Sequence, residues 1–172
     1  MRLALLAILA VLAGPARAQE TDAPMTPERL AGIVQALDPD AQATGPGIAF
    51  EINDVPVLIV MDVVANRMRA MVPIRSAEGM TAEEVLRVMQ ANFDTALDAR
   101  YAIANGRLWA VYIHPLRELE RDQLISGIGQ TVNIALTYGT LYTGGAAEFG
   151  GGDSQDLQRE LLEDLLERGQ DI

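Results

Sequence analysis

The chain has 172 residues, contains no cysteine and carries 24 acidic against 13 basic residues, which gives a formal net charge of −11. The absence of cysteine excludes disulfides, zinc–thiolate sites and cysteine nucleophiles. Nucleic acids and anionic lipids are themselves negatively charged and repel an acidic protein, so we expect neither nucleic acid nor, in the mature form, a membrane among its partners.

The first 18 residues have the pattern of a secretory signal peptide. Arg2 is the charged start, and the apolar run Leu3–Leu12 is too short to span a bilayer. Ala16 and Ala18 place small residues where signal peptidase reads. We expect cleavage after Ala18 and a periplasmic or secreted protein; the alternative is an uncleaved anchor. Residues 19–25 then form a polar leader.

A folded domain is expected at residues 26–143, and it begins with a helix. Thr26 is a suitable N-cap, with Pro27 at the first helical position and Glu28 beside it. The apolar residues that follow recur at helical spacing, and Asp38-Pro39 ends the pattern. These apolar residues are Leu30, Ile33, Val34 and Leu37.

Three strands are predicted after a loop at residues 40–47. Apolar residues alternate with others from Ile48 to Ile52 and from Met68 to Ile74, which predicts half-buried strands. Between them, Val55–Val64 is apolar on both faces except for Asp62, which predicts a central strand covered on both sides. The turns between the strands are expected at Asn53-Asp54 and Ala65-Asn66.

A second helix and a hairpin follow. Thr81 and Glu84 have the spacing of a capping box that opens a helix to about Asp98. Asn105-Gly106 is a strong hairpin signal between two further strands. Trp109 is interpreted as a core anchor, with a ligand platform as the alternative. The apolar face of the helix is predicted to be Val85, Leu86, Met89, Phe93, Ala96 and Leu97.

A long helix that is uncharged after Asp122 is predicted from about Leu119 to Tyr142. No charged residue lies between Asp122 and Glu148, whereas a surface helix normally has a charged outer face. We therefore expect this helix to be buried on most sides, with Leu136 in the core. Its two stripes are an apolar one, Leu124, Ile128, Val132, Ala135, Leu136 and Gly139, and a polar one, Ser126, Gln130, Asn133, Thr137 and Thr140.

The C-terminal part is predicted to be a glycine-rich linker at residues 144–152 and an acidic amphipathic helix at residues 153–169. Its leucines form a stripe that needs cover. Leu157, Leu161 and Leu165 are the expected anchors, docked on the same domain or on a dimer mate, and a solvated tail is the alternative.

The order helix, three strands, helix, two strands and long helix resembles that of type III secretion chaperones and YbjN-type domains. The segments that carry the resemblance are Asp54–Val60, Asn92–Ile103 and the helix from Asp122. The resemblance implies an α+β fold with an antiparallel sheet, in the order α-β-β-β-α-β-β-α. It also implies a non-enzymatic role in binding segments of other proteins, commonly as a homodimer, and makes Met89 and Phe93 interface candidates.

No residue pattern indicates a catalytic, cofactor or metal site. His114 is the only histidine and lacks the partners of a triad or a metal site. Arg67 and Arg69 share one sheet face, where they either receive an acidic segment or are simply exposed. Two alternatives to protein binding stay open, namely a small-ligand carrier with a pocket between the sheet and the uncharged helix, and an enzyme without a recognisable motif.

Overall fold

The computed structural model describes residues 23–45, 47–94, 97–139 and 154–169. It is an α+β fold in which helices pack on an antiparallel sheet, as expected, with one strand more than predicted. The additional strand, β1, lies in the segment predicted as a loop. The elements are α1 (Pro27–Leu37), β1 (Gln42–Thr44), β2 (Gly47–Ile52), β3 (Val55–Asp62), β4 (Arg67–Ser76), α2 (Ala82–Asp94), β5 (Arg100–Ala104), β6 (Arg107–His114), α3 (Arg121–Leu136) and α4 (Ser154–Arg168).

The six strands have the order β1-β2-β3-β4-β6-β5, and every neighbouring pair is antiparallel. The predicted turns at Asn53-Asp54 and Asn105-Gly106 are confirmed, whereas the turn predicted at Ala65-Asn66 already begins at Val63, because β3 ends at Asp62. Asn53 and Asp54 have φ of 50° and 64°, and Asn105 and Gly106 have φ of 51° and 70°. Two successive residues with positive φ match the right-handed twist of the strands that a two-residue turn joins. These local signals therefore fix which strands become neighbours.

One face of the sheet forms the core with α1 and α3, and α4 packs on α3. The α1 start is as predicted, because the Thr26 hydroxyl accepts a hydrogen bond from the Arg29 backbone N–H at 3.2 Å. Every residue of α3 from Leu124 to Ile134 except Ser126 is buried. The expectation that the uncharged helix is buried on most sides is confirmed over this range.

The prediction that Leu136 lies in the core is wrong. Leu136 is the last residue of α3 and is 57% exposed. The cover that α4 provides lies nearer the start of α3, where Leu165 lies against Gly129 and Gly169 against Ile125. Helical periodicity indicates the side of a helix on which a residue lies, but it does not indicate where along the helix the cover ends.

The prediction that β3 is covered on both sides is also wrong for the part of the chain that the structure describes. Val57 and Ile59 are buried on the core face, whereas Leu58 and Val60 on the opposite face are only half-buried. The described helices pack against the core face or, for α2, against the edge strand β5. Trp109 lies on this second face too, half-buried beneath the Arg107 guanidinium, and is not a core anchor.

Candidate protein-binding surface

Helix α2 begins where the capping box predicts. The Thr81 backbone N–H donates to Glu84 Oε2 at 2.7 Å, and the Glu84 N–H donates to the Thr81 hydroxyl at 3.1 Å. The hydrogen bonds from the Thr81 backbone and side chain hold the pKa of the Glu84 carboxyl below its usual value. The positive end of the helix dipole also stabilises a charged carboxylate at this position.

The inner side of α2 is attached to the edge of the sheet. Val88 and Ala91 are buried there. The Asn92 side-chain amide donates to the Tyr101 carbonyl at 3.1 Å and accepts from the Tyr101 N–H at 2.7 Å. Tyr101 belongs to β5, the last strand in the sheet of the described residues, which has no further strand on its outward side there. Asn92 thus holds α2 in place and pairs part of an open strand edge.

The outer side of α2 exposes large apolar residues. Phe93 is 91% exposed, Leu86 and Met89 are each 59% exposed, and Leu97, which follows the end of the helix, is also 59% exposed. We call these four residues the α2 stripe. Leu86, Met89 and Phe93 have helical spacing i, i+3 and i+7, so they lie along one side of the helix. Exposed apolar side chains that share one side of a helix are a candidate surface for contact with another protein.

The exposure of the α2 stripe shows that the buried face predicted for this helix is wrong. Leu86, Met89 and Phe93 were expected to form its buried apolar side, but the smaller Val88 and Ala91 make that contact instead. Met89 and Phe93 are therefore exposed, as interface residues must be in a free chain. Whether they contact another chain stays a prediction.

A second surface lies on the face of the sheet that points away from α1 and α3, which we call the outer sheet face. The centre of this face is apolar, and its positively charged side chains are arginines. Arg67 and Arg69 both lie on it, as predicted, and are exposed. The cross-strand neighbours of Arg69 are Val60 on β3 and Ile113 on β6. The apolar centre comprises Leu58, Val60, Met71, Pro73, Trp109, Val111 and Ile113.

Two of the three residues predicted as anchors on the last helix, Leu161 and Leu165, pack within the same chain. Leu161 and Leu165 are buried, and Leu165 lies against Gly129 of α3. The Arg121 guanidinium donates to the Gly169 carbonyl at 3.3 Å, which ties the end of α4 to the start of α3. The side chain of Leu157, the glycine-rich linker and the first 22 residues lie outside the described residues.

A polar cleft of about 570 Å³ lies between α3 and the strands β5 and β6, in the place where the sequence left open a pocket between the sheet and the uncharged helix. The cleft is open to solvent, unlike the closed pocket that a small-ligand carrier would need. The Gln130 side-chain carbonyl accepts from the backbone N–H groups of Asp98 and Ala99 at 2.8 and 3.2 Å. Burial, and secondarily the Asp98 charge, raises the pKa of the Tyr112 phenol. The uncharged polar stripe of α3 was the sequence signal for this cleft.

Comparisons with known proteins give likenesses of fold. No protein-family profile matches the chain, and no curated protein matches it. A chain of the HopA1–SchA chaperone–effector complex aligns with 56% of this chain and 77% of its own length, at 8% identity and a TM-score of 0.46. A chain of the complex between the Yersinia pestis type III secretion chaperone SycH and a fragment of YscM2 aligns with 63% of this chain and 98% of its own length, at 13% identity and a TM-score of 0.47.

The described residues contain no cluster of three or more His, Cys, Asp or Glu side chains that could hold a metal ion. Within the same ranges, no helix has both the length and the apolar character to cross a membrane. His114 lines the polar cleft, where its ring stacks on Tyr112 with centroids 6.0 Å apart and its Nδ1 lies 2.8 Å from the Pro115 carbonyl. These contacts of His114 are structural.

Proposed function

We propose that this chain is an exported, non-enzymatic module that binds other proteins and that pairs with a second copy of itself through the α2 stripe. The observation that carries the proposal is the stripe, in which four large apolar side chains are exposed together. Burial of such side chains stabilises an association by about 25 cal/mol per Å² of apolar surface removed from water. A patch of this kind indicates a protein contact and gives no chemistry for a reaction.

A second copy is a suitable occupant of the α2 stripe because of the shape of the stripe. Leu86, Met89 and Phe93 follow the axis of one helix, so the same helix from another copy can cross it about a two-fold axis. Each apolar residue would then face apolar residues of the partner. The stripe lies beyond the contacts of Val88 and Ala91, so pairing needs no change in how α2 is attached.

Replacing both Met89 and Phe93 by aspartate is expected to convert a dimer into a monomer. Two carboxylates cannot be buried in an apolar interface without a large cost in free energy. Light scattering coupled to size-exclusion chromatography at micromolar concentration measures the mass. The matched control is Val64→Asp, because Val64 is 98% exposed in the turn after β3 and should leave the mass unchanged. A monomeric parent, or a double variant that stays dimeric, contradicts the proposed pairing.

Export is the part of the proposal that rests on the sequence of residues 1–18. N-terminal sequencing of the protein isolated from its native host is expected to begin at Gln19. A first residue of Met1 would rule out cleavage and, with it, the proposed compartment.

A further inference from the structure

The outer sheet face contains a groove that follows β6. Its volume is about 450 Å³. Its lining combines the small Ala102 and Ala104 on the edge strand β5 with the larger Met71 on β4 and Trp109 on β6. Val111 pairs with Met71 on one side and with Arg100 on the other, so it forms part of the groove floor. The groove is thus apolar along its centre and open on its outer side.

Arg69 gives the groove a charge. It lies at one end, beside Ile113, which is 52% exposed. Within the described residues the Arg69 guanidinium makes no hydrogen bond and no ion pair, whereas that of Arg67 donates to the Asn66 carbonyl and that of Arg107 lies over Trp109. Arg69 is therefore able to form a bidentate pair with a carboxylate of another molecule.

The charge of the groove is opposite to that of the chain. The chain has a formal net charge of −11, yet the lining of the groove contains one arginine and no acidic residue. Arg100 and Arg107 flank it on β5 and β6, across from Val111 and Ala104. The acidic residues of the outer sheet face, Glu51 and Asp62, lie on β2 and at the end of β3. Charge complementarity thus favours an acidic occupant at this end of the face.

We infer that the groove binds an extended acidic segment of a partner protein, with an apolar side chain over Val111 and a carboxylate on Arg69. This inference rests on the proposed protein-binding function and specifies the chemistry of the partner. An extended strand presents alternate side chains to one face, so an acidic and an apolar residue reach the groove together when they lie two positions apart. The test peptide, Glu-Leu-Glu-Leu-Glu-Glu-Phe-Leu, contains this spacing with the acidic residue on either side of the apolar one.

Trp109 makes the inference testable without a label. It is the only tryptophan in the chain and it lines the groove. Titration with the capped peptide is expected to change Trp109 fluorescence saturably, and the affinity is expected to fall as sodium chloride is raised, since salt screens the charge pair. A peptide with glutamine in place of every glutamate is expected to bind about ten times more weakly, because hydrogen bonds to charged groups are the stronger ones.

Two substitutions locate the site. Arg69→Gln is expected to weaken binding of the acidic peptide about five-fold or more, because the substitution removes one charge pair. The affinity for the glutamine peptide is expected to stay unchanged. Ala102→Leu is expected to weaken the binding of both peptides, because the larger side chain fills the groove. Arg159→Gln, on the exposed part of α4, is the matched control and should bind like the parent. Thermal melts establish that each variant is folded before titration.

The inference is overturned if isothermal calorimetry detects no binding of the acidic peptide, if the glutamine peptide binds equally well, or if folded Arg69→Gln binds like the parent. The Met89→Asp, Phe93→Asp double variant is titrated in parallel, because the α2 stripe is not part of the groove. Peptide binding by a monomeric double variant supports the groove independently of pairing. Loss of pairing and loss of peptide binding are therefore separate results.

Discussion

Truncation after Gly150, which removes α4, is expected to lower the free energy of unfolding by roughly 3–6 kcal/mol, the transfer free energy of two buried leucines at about 1.5–3 kcal/mol each. Leu161 and Leu165 are the buried leucines, and Leu165 is fully buried against α3. Without them, Ile125 and Gly129 of α3 lose their cover. The shortened protein should therefore bind more of a hydrophobic dye and melt at a lower temperature. Chemical denaturation measures the change in stability.

A point variant separates the packing of α4 from the effects of shortening the chain. Leu165→Ala is expected to destabilise the protein by about 2–5 kcal/mol, as truncations of buried leucine do. Glu163→Ala, two residues before it on the exposed side, should change stability by less than about 0.5 kcal/mol. Docking within one chain predicts the same loss at every protein concentration. If the truncated protein equals the parent in stability and dye binding, α4 has no structural role.

Local signals in the sequence predicted local structure well. The Thr81–Glu84 capping box and the Asn105-Gly106 turn both form as expected, because each depends on residues within four positions of one another. The order of the elements followed from such signals, and the resemblance that rests on this order implied the antiparallel sheet. Strand β1 was missed because its three residues, Gln42–Thr44, are all exposed and show no hydrophobic pattern.

Predictions that depended on tertiary cover were less successful. On α2 the periodicity identified Leu86, Met89 and Phe93 as the buried face, yet the edge of the sheet leaves room only for Val88 and Ala91. The Asn92–Tyr101 pair explains this choice, since two hydrogen bonds to one backbone position fix the rotation of the helix. An asparagine in a helical pattern gives no sign that its partner lies on a strand nine residues later.

The same limit applies to the candidate binding surfaces. An apolar residue on each face of β3 indicated cover on both sides, but a sequence does not distinguish cover by its own chain from cover by another. No described helix covers the outer sheet face, and Trp109 on that face is only half-buried. The apolar residues from which the sequence predicted a larger core thus form the candidate docking surfaces.

Helix α3 provides the sharpest contrast between cover and exposure within one element. Ile128→Ala is expected to lower the free energy of unfolding by about 2–5 kcal/mol, because Ile128 is fully buried and its truncation leaves a cavity. Leu136→Ala, eight residues later on the same predicted stripe, should cost less than about 0.5 kcal/mol, because its side chain is 57% exposed.

Urea denaturation of the two variants and the parent measures both values. If the free energy of unfolding has the same dependence on urea concentration in all three proteins, the variants unfold by the same transition as the parent. Helix propensity does not account for the difference, since alanine is favourable in a helix at both positions. A loss of about 2 kcal/mol or more for Leu136→Ala would mean that another chain or segment covers the end of α3. A loss below about 0.5 kcal/mol for Ile128→Ala would contradict the packing of α3 on the sheet.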